Sequence, residues 1–273
     1  MTAAAGRLEH VLRDAAPVAV AVSGGVDSMT LASFAHRLLG PGNVLAVHAT
    51  SPAVPAEATT RVRDETVRAG WQLRVIDAGE FADAAYRANP VNRCFFCKTN
   101  LYGSVAAETP WQILSGTNTD DLGEYRPGLD AARNHDVRHP FVEAGYSKSA
   151  VRALARTLGL RDIAELPSAP CLSSRIETGI RVEPEVLAFV HETERLVAER
   201  LGVGSGVERS IRCRVRAGGV VIELDPASLV KFNEAERAAL ERLIGAAAPA
   251  RLDGRPIGFA PYRVGSAFLV QGA

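Results

Sequence analysis

The sequence predicts an α/β fold: a doubly wound, mainly parallel sheet followed by a smaller α+β domain. Three observations predict it. The first half alternates short apolar runs with stretches of helical spacing. A glycine pair follows the first apolar run at once, at the point where a strand would turn into a helix. The pattern changes character after Leu166-Pro-Ser-Ala-Pro-Cys171. A chain of 273 residues suits one large or two modest domains, and the boundary is expected to divide residues 1–168 from 169–273.

Each element has its own warrant. Pro17–Val22 is a short β-branched run and reads as the first strand. Asp27–Leu39 carries Met29, Leu31, Phe34, Ala35 and Leu38 at helical spacing and stops at Gly40. Asn43–His48 reads as the second strand, Pro55–Gly70 as a charged, solvated helix and Trp71–Ile76 as the third strand. A helix is expected over about Asn92–Glu108, a fourth strand over Pro110–Ser115 and a short fifth at Phe141-Val142. Ser147–Leu158 closes the half as a helix, with Ser147 as its N-cap and Gly159 past its end. Strands and helices alternating at this length make βαβ units. In the second domain, Pro184–Leu201 places Val186, Val190, Val197 and Leu201 along one helix face. Ser210–Arg216 and Val220–Asp225 flank an Ala-Gly-Gly turn and read as a hairpin. A helix over Pro226–Ile244 and a strand-rich stretch over Pro256–Val270 complete the chain.

Composition excludes several classes. Lys plus Arg and Asp plus Glu both number 31, which argues against a surface that coats nucleic acid or membrane. No apolar run approaches the roughly 20 residues of a membrane span. Four cysteines are too few and too unevenly spaced for a disulfide scaffold. No leader pattern opens the sequence, so a cytoplasmic protein is expected.

The chemistry begins at Ser23-Gly24-Gly25-Val26-Asp27-Ser28. Two glycines let backbone amides turn toward an anion, and the following helix adds its positive N-terminal end. Ser23 and Ser28 can donate hydroxyl hydrogen bonds, and Asp27 suits a bridging Mg²⁺. The loop lacks the Gly-Lys-[Ser/Thr] ending of the Walker motif. A second polar cluster, Ser115–Gly128, follows the fourth strand and reaches the same sheet edge. It offers Gly116, the acids Asp120, Asp121 and Glu124, and Arg126.

Cys94 and Cys97 stand three residues apart, which suits joint ligation of one metal centre, and Cys171 follows 74 residues later. Cys213 alternates with Arg212 and Arg214, and with Ile211 and Val215 it falls on the apolar face of a strand, as a small buried residue would. The thiols leave four readings open: a three-thiolate iron–sulfur cluster, a four-thiolate zinc site, a Cys94–Cys97 redox pair, or unrelated residues. Lys98, next to the second thiol, could neutralise an α-phosphate. Arg212 and Arg214 on one strand face form a fork suited to a phosphate. Ser173 and Arg175 follow Cys171 closely. A satisfied or exposed role is expected for all six histidines, His48 included.

Ser-Gly-Gly-Val-Asp-Ser resembles the PP-loop of the N-type ATP pyrophosphatases. The resemblance implies an adenine nucleotide α-hydrolase-like first domain that cleaves ATP between the α- and β-phosphates. Together with Cys-Phe-Phe-Cys-Lys, Ser-Gly-Thr-Asn-Thr-Asp-Asp, Tyr-Arg-Pro-Gly and Pro-Cys-Leu-Ser-Ser-Arg-Ile, the chain resembles the LarE family of ATP-dependent sulfur transferases, from about Leu8 to Glu223. It departs from that pattern at Arg216-Ala217, Val221 and Glu177-Thr178, on the acceptor side. The resemblance implies adenylation of a carboxylate of pyridinium-3,5-biscarboxylic acid mononucleotide and its conversion to a thiocarboxylate, as in nickel-pincer nucleotide biosynthesis. It implies ATP, Mg²⁺ and a 4Fe–4S cluster held by Cys94, Cys97 and Cys171, with sulfide carried on the free iron. In the family's other version the residue at Cys171 gives up its own sulfur. Ser23, Gly24, Gly25, Asp27, Ser28, Gly116, Asp121 and Arg126 would then serve ATP, and Arg175, Arg212 and Arg214 the substrate. The second domain would bind the acceptor and support a homo-oligomer, and a sulfide donor would be a partner. A tRNA thiolase is the alternative reading, which the zero net charge disfavours.

Overall fold

A computed structural model describes residues 3–123, 127–167, 170–202, 210–263 and 265–267. The chain forms two compact units, residues 1–83 with 92–169 and residues 84–91 with 170–273.

The first unit opens with α1 (Ala3–Ala15), β1 (Val18–Ala21), α2 (Val26–Leu39), β2 (Val44–Thr50), α3 (Ala56–Ala69) and β3 (Gln72–Asp77). The chain then passes through α4 (Ala84–Arg87), which belongs to the second unit. It returns with α5 (Arg93–Glu108), β4 (Gln112–Leu114), α6 (Pro127–Asn134), α7 (Pro140–Ala144), α8 (Lys148–Thr157) and α9 (Arg161–Ala164). The sheet order is β3-β2-β1-β4, and every pair is parallel. Alternation along β1 buries both faces. Val18 and Val20 join Leu8 and Leu12 of α1, Met29 and Leu31 of α2 and Val151 of α8 in one core, while Ala19 meets Tyr102 and Val105 of α5 and Ala132 of α6 in another. The sheet is therefore doubly wound, as expected. The path runs outward from β1 to β3 and then jumps back to β4 beside β1. That reversal makes a crevice at the carboxyl ends of β1 and β4.

One expectation for this unit needs correction. Phe141-Val142 is not a fifth strand but lies in α7. Pro140 stands in its first turn, where its fixed φ and missing N–H favour a helix start. The only strand-like pairing beyond β4 is a single bridge from Leu114 to Arg138, among the described residues. N-terminal helix α1 carried no expectation, yet it fully buries Leu8 and Leu12.

In the second unit, the 3₁₀ turn Leu172–Arg175 and α10 (Pro184–Arg200) precede the hairpin β5 (Ile211–Arg216) and β6 (Gly219–Leu224). α11 (Pro226–Leu229), α12 (Glu234–Ala246) and β7 (Ile257–Pro261) follow. β7 pairs in parallel with β6, giving a mixed three-stranded sheet. The single helix expected over Pro226–Ile244 is two helices. Asn233 begins the second with a capping box, its side chain accepting from the Glu236 amide at 3.0 Å while Glu236 accepts from the Asn233 amide at 2.8 Å. Of the stretch expected to be strand-rich over Pro256–Val270, the described strand is β7 alone, and residues 268–270 lie outside the described residues. The 84–91 segment is tied in by buried Asn89, whose side-chain amide donates to the carbonyls of Glu177 at 2.8 Å and Ile180 at 2.9 Å.

Candidate active site

The loop between β1 and α2 is held by its own serines. The Ser23 amide donates to Ser28 Oγ at 3.0 Å, and Ser28 Oγ donates to the Gly25 carbonyl at 3.2 Å. Gly24 has φ +79°, a conformation that favours glycine, and a Cβ there would lie 2.6 Å from the Ala58 carbonyl oxygen. Gly25 caps α2 without a side chain, so the helix's positive end meets the loop directly.

The loop after β4 closes on it. A Cβ at Gly116 would stand 2.7 Å from the Ser28 amide nitrogen, so only glycine allows this approach. Asn118 Nδ2 donates to Asp27 Oδ1 at 3.2 Å, and the Asn118 amide donates to Asp121 Oδ2 at 3.1 Å. Lys148, the first residue of α8, puts Nζ 2.5 Å from Asp27 Oδ2, and its backbone amide donates to Asp120 Oδ2 at 3.1 Å. Ser147 caps the helix from the Ala150 amide at 3.3 Å. Ser115 Oγ is 2.7 Å from His139 Nδ1. Burial lowers the His139 pKa, Lys98 lowers it further, and Glu143 and Asp121 act against them. Lys98 Nζ lies 5.7 Å from the centre of the Tyr102 ring. Arg126 and Glu124 lie outside the described residues.

The Lys148 ammonium and the Asn118 side-chain amide therefore meet one carboxylate at a helix N-terminus. Such an arrangement can hold a polyphosphate with a divalent cation.

Cys94 and Cys97 sit half-buried one turn apart at the start of α5. Cys171 belongs to the second unit and is exposed. Cys213 is fully buried, and burial drives its pKa far up. Within either unit, among the described residues, no three His, Cys, Asp or Glu side chains gather as metal ligands.

Arg175 is buried and pairs with both carboxylate oxygens of Glu194, at 2.9 and 3.0 Å. It also donates to the carbonyls of Pro170 at 2.7 Å and Cys171 at 3.2 Å, so it orders the Cys171 turn. Ser173 Oγ meets Tyr86 Oη at 2.7 Å. Arg214 is buried against Glu223 at 3.1 Å and donates to the Ser174 carbonyl at 2.9 Å. Arg212 stacks over the Tyr262 ring at 5.8 Å, and burial, then the nearby Arg175 charge, lower its pKa.

No protein-family model matches the chain. It is 35% identical over 217 residues to an uncharacterised protein of Synechocystis sp., covering 78% of each chain. It is 30% identical over 192 residues, 69% of each chain, to the pyridinium-3,5-bisthiocarboxylic acid mononucleotide synthase of Lactiplantibacillus plantarum. The chain belongs to the LarE family. An uncharacterised protein of Methanocaldococcus jannaschii is 25% identical over 223 residues, covering 80% of this chain and 82% of its own.

In this LarE-family chain, several site residues escaped the sequence reading. Asn118 lay inside the second cluster without an assigned role. Lys148 follows a cap that the sequence did identify, and a helix starting at the carboxyl edge of the sheet points its first residue at the crevice. His139 carried no signal, because nothing local ties it to Ser115.

Proposed function

We propose that the protein is an ATP-dependent, AMP- and pyrophosphate-forming sulfurtransferase that converts a carboxylate of pyridinium-3,5-biscarboxylic acid mononucleotide to a thiocarboxylate, a step of nickel-pincer nucleotide biosynthesis. One observation carries the reading: the loops behind β1 and β4 meet at the sheet's switch point, with Gly116 packed on the Ser28 amide. It does so in a chain related to a synthase of the bisthiocarboxylic product.

The acceptor carboxylate attacks the α-phosphorus of ATP, and the bond to the bridging oxygen breaks as pyrophosphate leaves. The loop amides, Ser23, Ser28 and the start of α2 take the charge of the departing phosphates. Lys148 moves from Asp27 onto phosphate oxygen, and Lys98 serves the α-phosphate. Mg²⁺, held by Asp27 and Asp121, neutralises phosphate charge when bound. Sulfide then attacks the acyl carbon, the acyl carbon–oxygen bond breaks, and AMP leaves with the acceptor's oxygen.

Cys94, Cys97 and Cys171 fit a three-thiolate donor set, because Cys213 is sealed in the second unit's core. A 4Fe–4S cluster on them supplies transferable sulfide when bound. Arg175, Arg212 and Arg214 serve the acceptor side: Arg175 orders the Cys171 turn, and Arg214 braces the strand that carries Arg212. The working form is a cytoplasmic homo-oligomer supplied by a sulfide donor.

The test is an anaerobic incubation of the reconstituted protein with ATP, Mg²⁺, sulfide and the dicarboxylate nucleotide. The expected result is a product in which sulfur replaces a carboxylate oxygen, with AMP and pyrophosphate formed in step. Formation of ADP and phosphate, or an unchanged acceptor, contradicts the reading.

A further inference from the structure

The first turns of α3 clasp the phosphate loop from behind. Arg61 Nη1 donates to the Gly24 carbonyl at 2.6 Å. Ala58 packs so closely that Gly24 has no room for a side chain. Two residues before Arg61, Thr59 meets fully buried His48, which bridges α3 to the strand that feeds the loop. Its Nδ1–H donates to the Val22 carbonyl at 2.7 Å, and its Nε2 accepts from Thr59 Oγ1 at 2.9 Å. The carbonyl only accepts, so the tautomer is fixed. Two carbonyls at the root of the loop are thus tied to groups outside it.

The consequence follows from peptide geometry. In a trans peptide the C=O and the next N–H point in opposite directions. Tying the Gly24 carbonyl toward α3 therefore turns the Gly25 N–H away from α3, toward the loop's own interior. That N–H makes a long bond, 3.4 Å, to the exposed Ser23 Oγ. A contact that long is weak and readily exchanged for an anion. A Gly-Gly peptide without such a tie rotates at little steric cost and can present its carbonyl, which repels phosphate.

We propose that Arg61 is a positioning residue of the phosphate loop, locking the Gly24–Gly25 peptide with its N–H toward the departing pyrophosphate. This rests on the proposed ATP pyrophosphatase activity. Arg61 touches no phosphate in this scheme; it acts through the peptide it holds. Losing it raises the cost of binding pyrophosphate while leaving the fold in place, since it sits half-buried at the rim of α3.

The experiment titrates inorganic pyrophosphate with Mg²⁺ into the full-length protein by calorimetry, for wild type, Arg61→Gln and Arg61→Lys, with thermal unfolding of each. Wild type is expected to bind. Arg61→Gln is expected to bind at least about tenfold more weakly, as loss of a charged hydrogen bond requires, with an unchanged melting temperature. Arg61→Lys, which keeps a cationic donor, is expected to recover most of the affinity. Equal binding by wild type and Arg61→Gln overturns the proposal. So does a Gln variant that melts early with no rescue by Lys, which marks a purely structural residue. Failure of wild type itself to bind pyrophosphate overturns the pyrophosphatase reading instead.

Discussion

Asp27 is the residue on which the proposed nucleotide site turns. Its two carboxylate oxygens are engaged by Asn118 and Lys148, so the positive charge needed for a polyphosphate is already stored beside the loop. Lys148→Met is expected to lower pyrophosphate release by about 10²-fold, the usual effect of removing one charge-stabilising group from a reacting centre; a coupled assay of acceptor-dependent pyrophosphate formation measures it. The cysteines divide by environment. Cys171 is exposed, whereas Cys213 is buried with its pKa driven up. In the cluster-free folded protein, iodoacetamide is expected to modify Cys171 and to reach Cys213 only in denaturant, as peptide mass mapping would read. His48 adds a pH dependence. Burial lowers its pKa, the Val22 carbonyl opposes this, and the Arg63 charge adds to the lowering. The unfolded chain then takes up the proton first, so the contribution is intact above the unfolded value of about 6.5 and is lost as pH falls below it. Melting temperature is expected to drop from neutral pH toward pH of about 5, and His48→Gln should flatten that slope.

At the scale of elements, the strands and helices of the first unit were legible because β-branched runs, cap residues and glycine stops act locally. Ser147 is a case in point: a residue whose bond to the Ala150 amide needs only four residues of sequence. The failures were tertiary. Phe141 is apolar on either reading, and the choice of α7 was made by Pro140 and by packing against Leu8 and Leu12 in the core. The split between α11 and α12 had a local signal in Asn233 and Glu236, which the apolar spacing on either side masked. The site was legible as two loops, whereas the ties between them, Asn118 to Asp27 and Lys148 to Asp27, join residues more than 90 apart and leave no local pattern. Long-range ties also secure the 84–91 segment. Asn89 is fully buried, has φ +57° and serves several carbonyls of the second unit. Asn89→Ala is expected to cost on the order of 2 kcal/mol, since buried acceptors lose their donor; urea unfolding would measure it.

For the whole molecule, the fold and the family membership converge on one division of labour. The first unit carries the proposed phosphate loop at a topological switch point and two thiols at a helix start. The second carries Cys171 and a hairpin whose arginines are braced by Glu223. In the proposed reaction, ATP serves to turn a carboxylate oxygen into a leaving group. This role is tested most directly by supplying an acceptor whose carboxylates are labelled with oxygen-18 and reading the nucleotide product by mass spectrometry. One labelled oxygen is expected in AMP and none in pyrophosphate. Unlabelled AMP, or label in inorganic phosphate beside ADP, would contradict it.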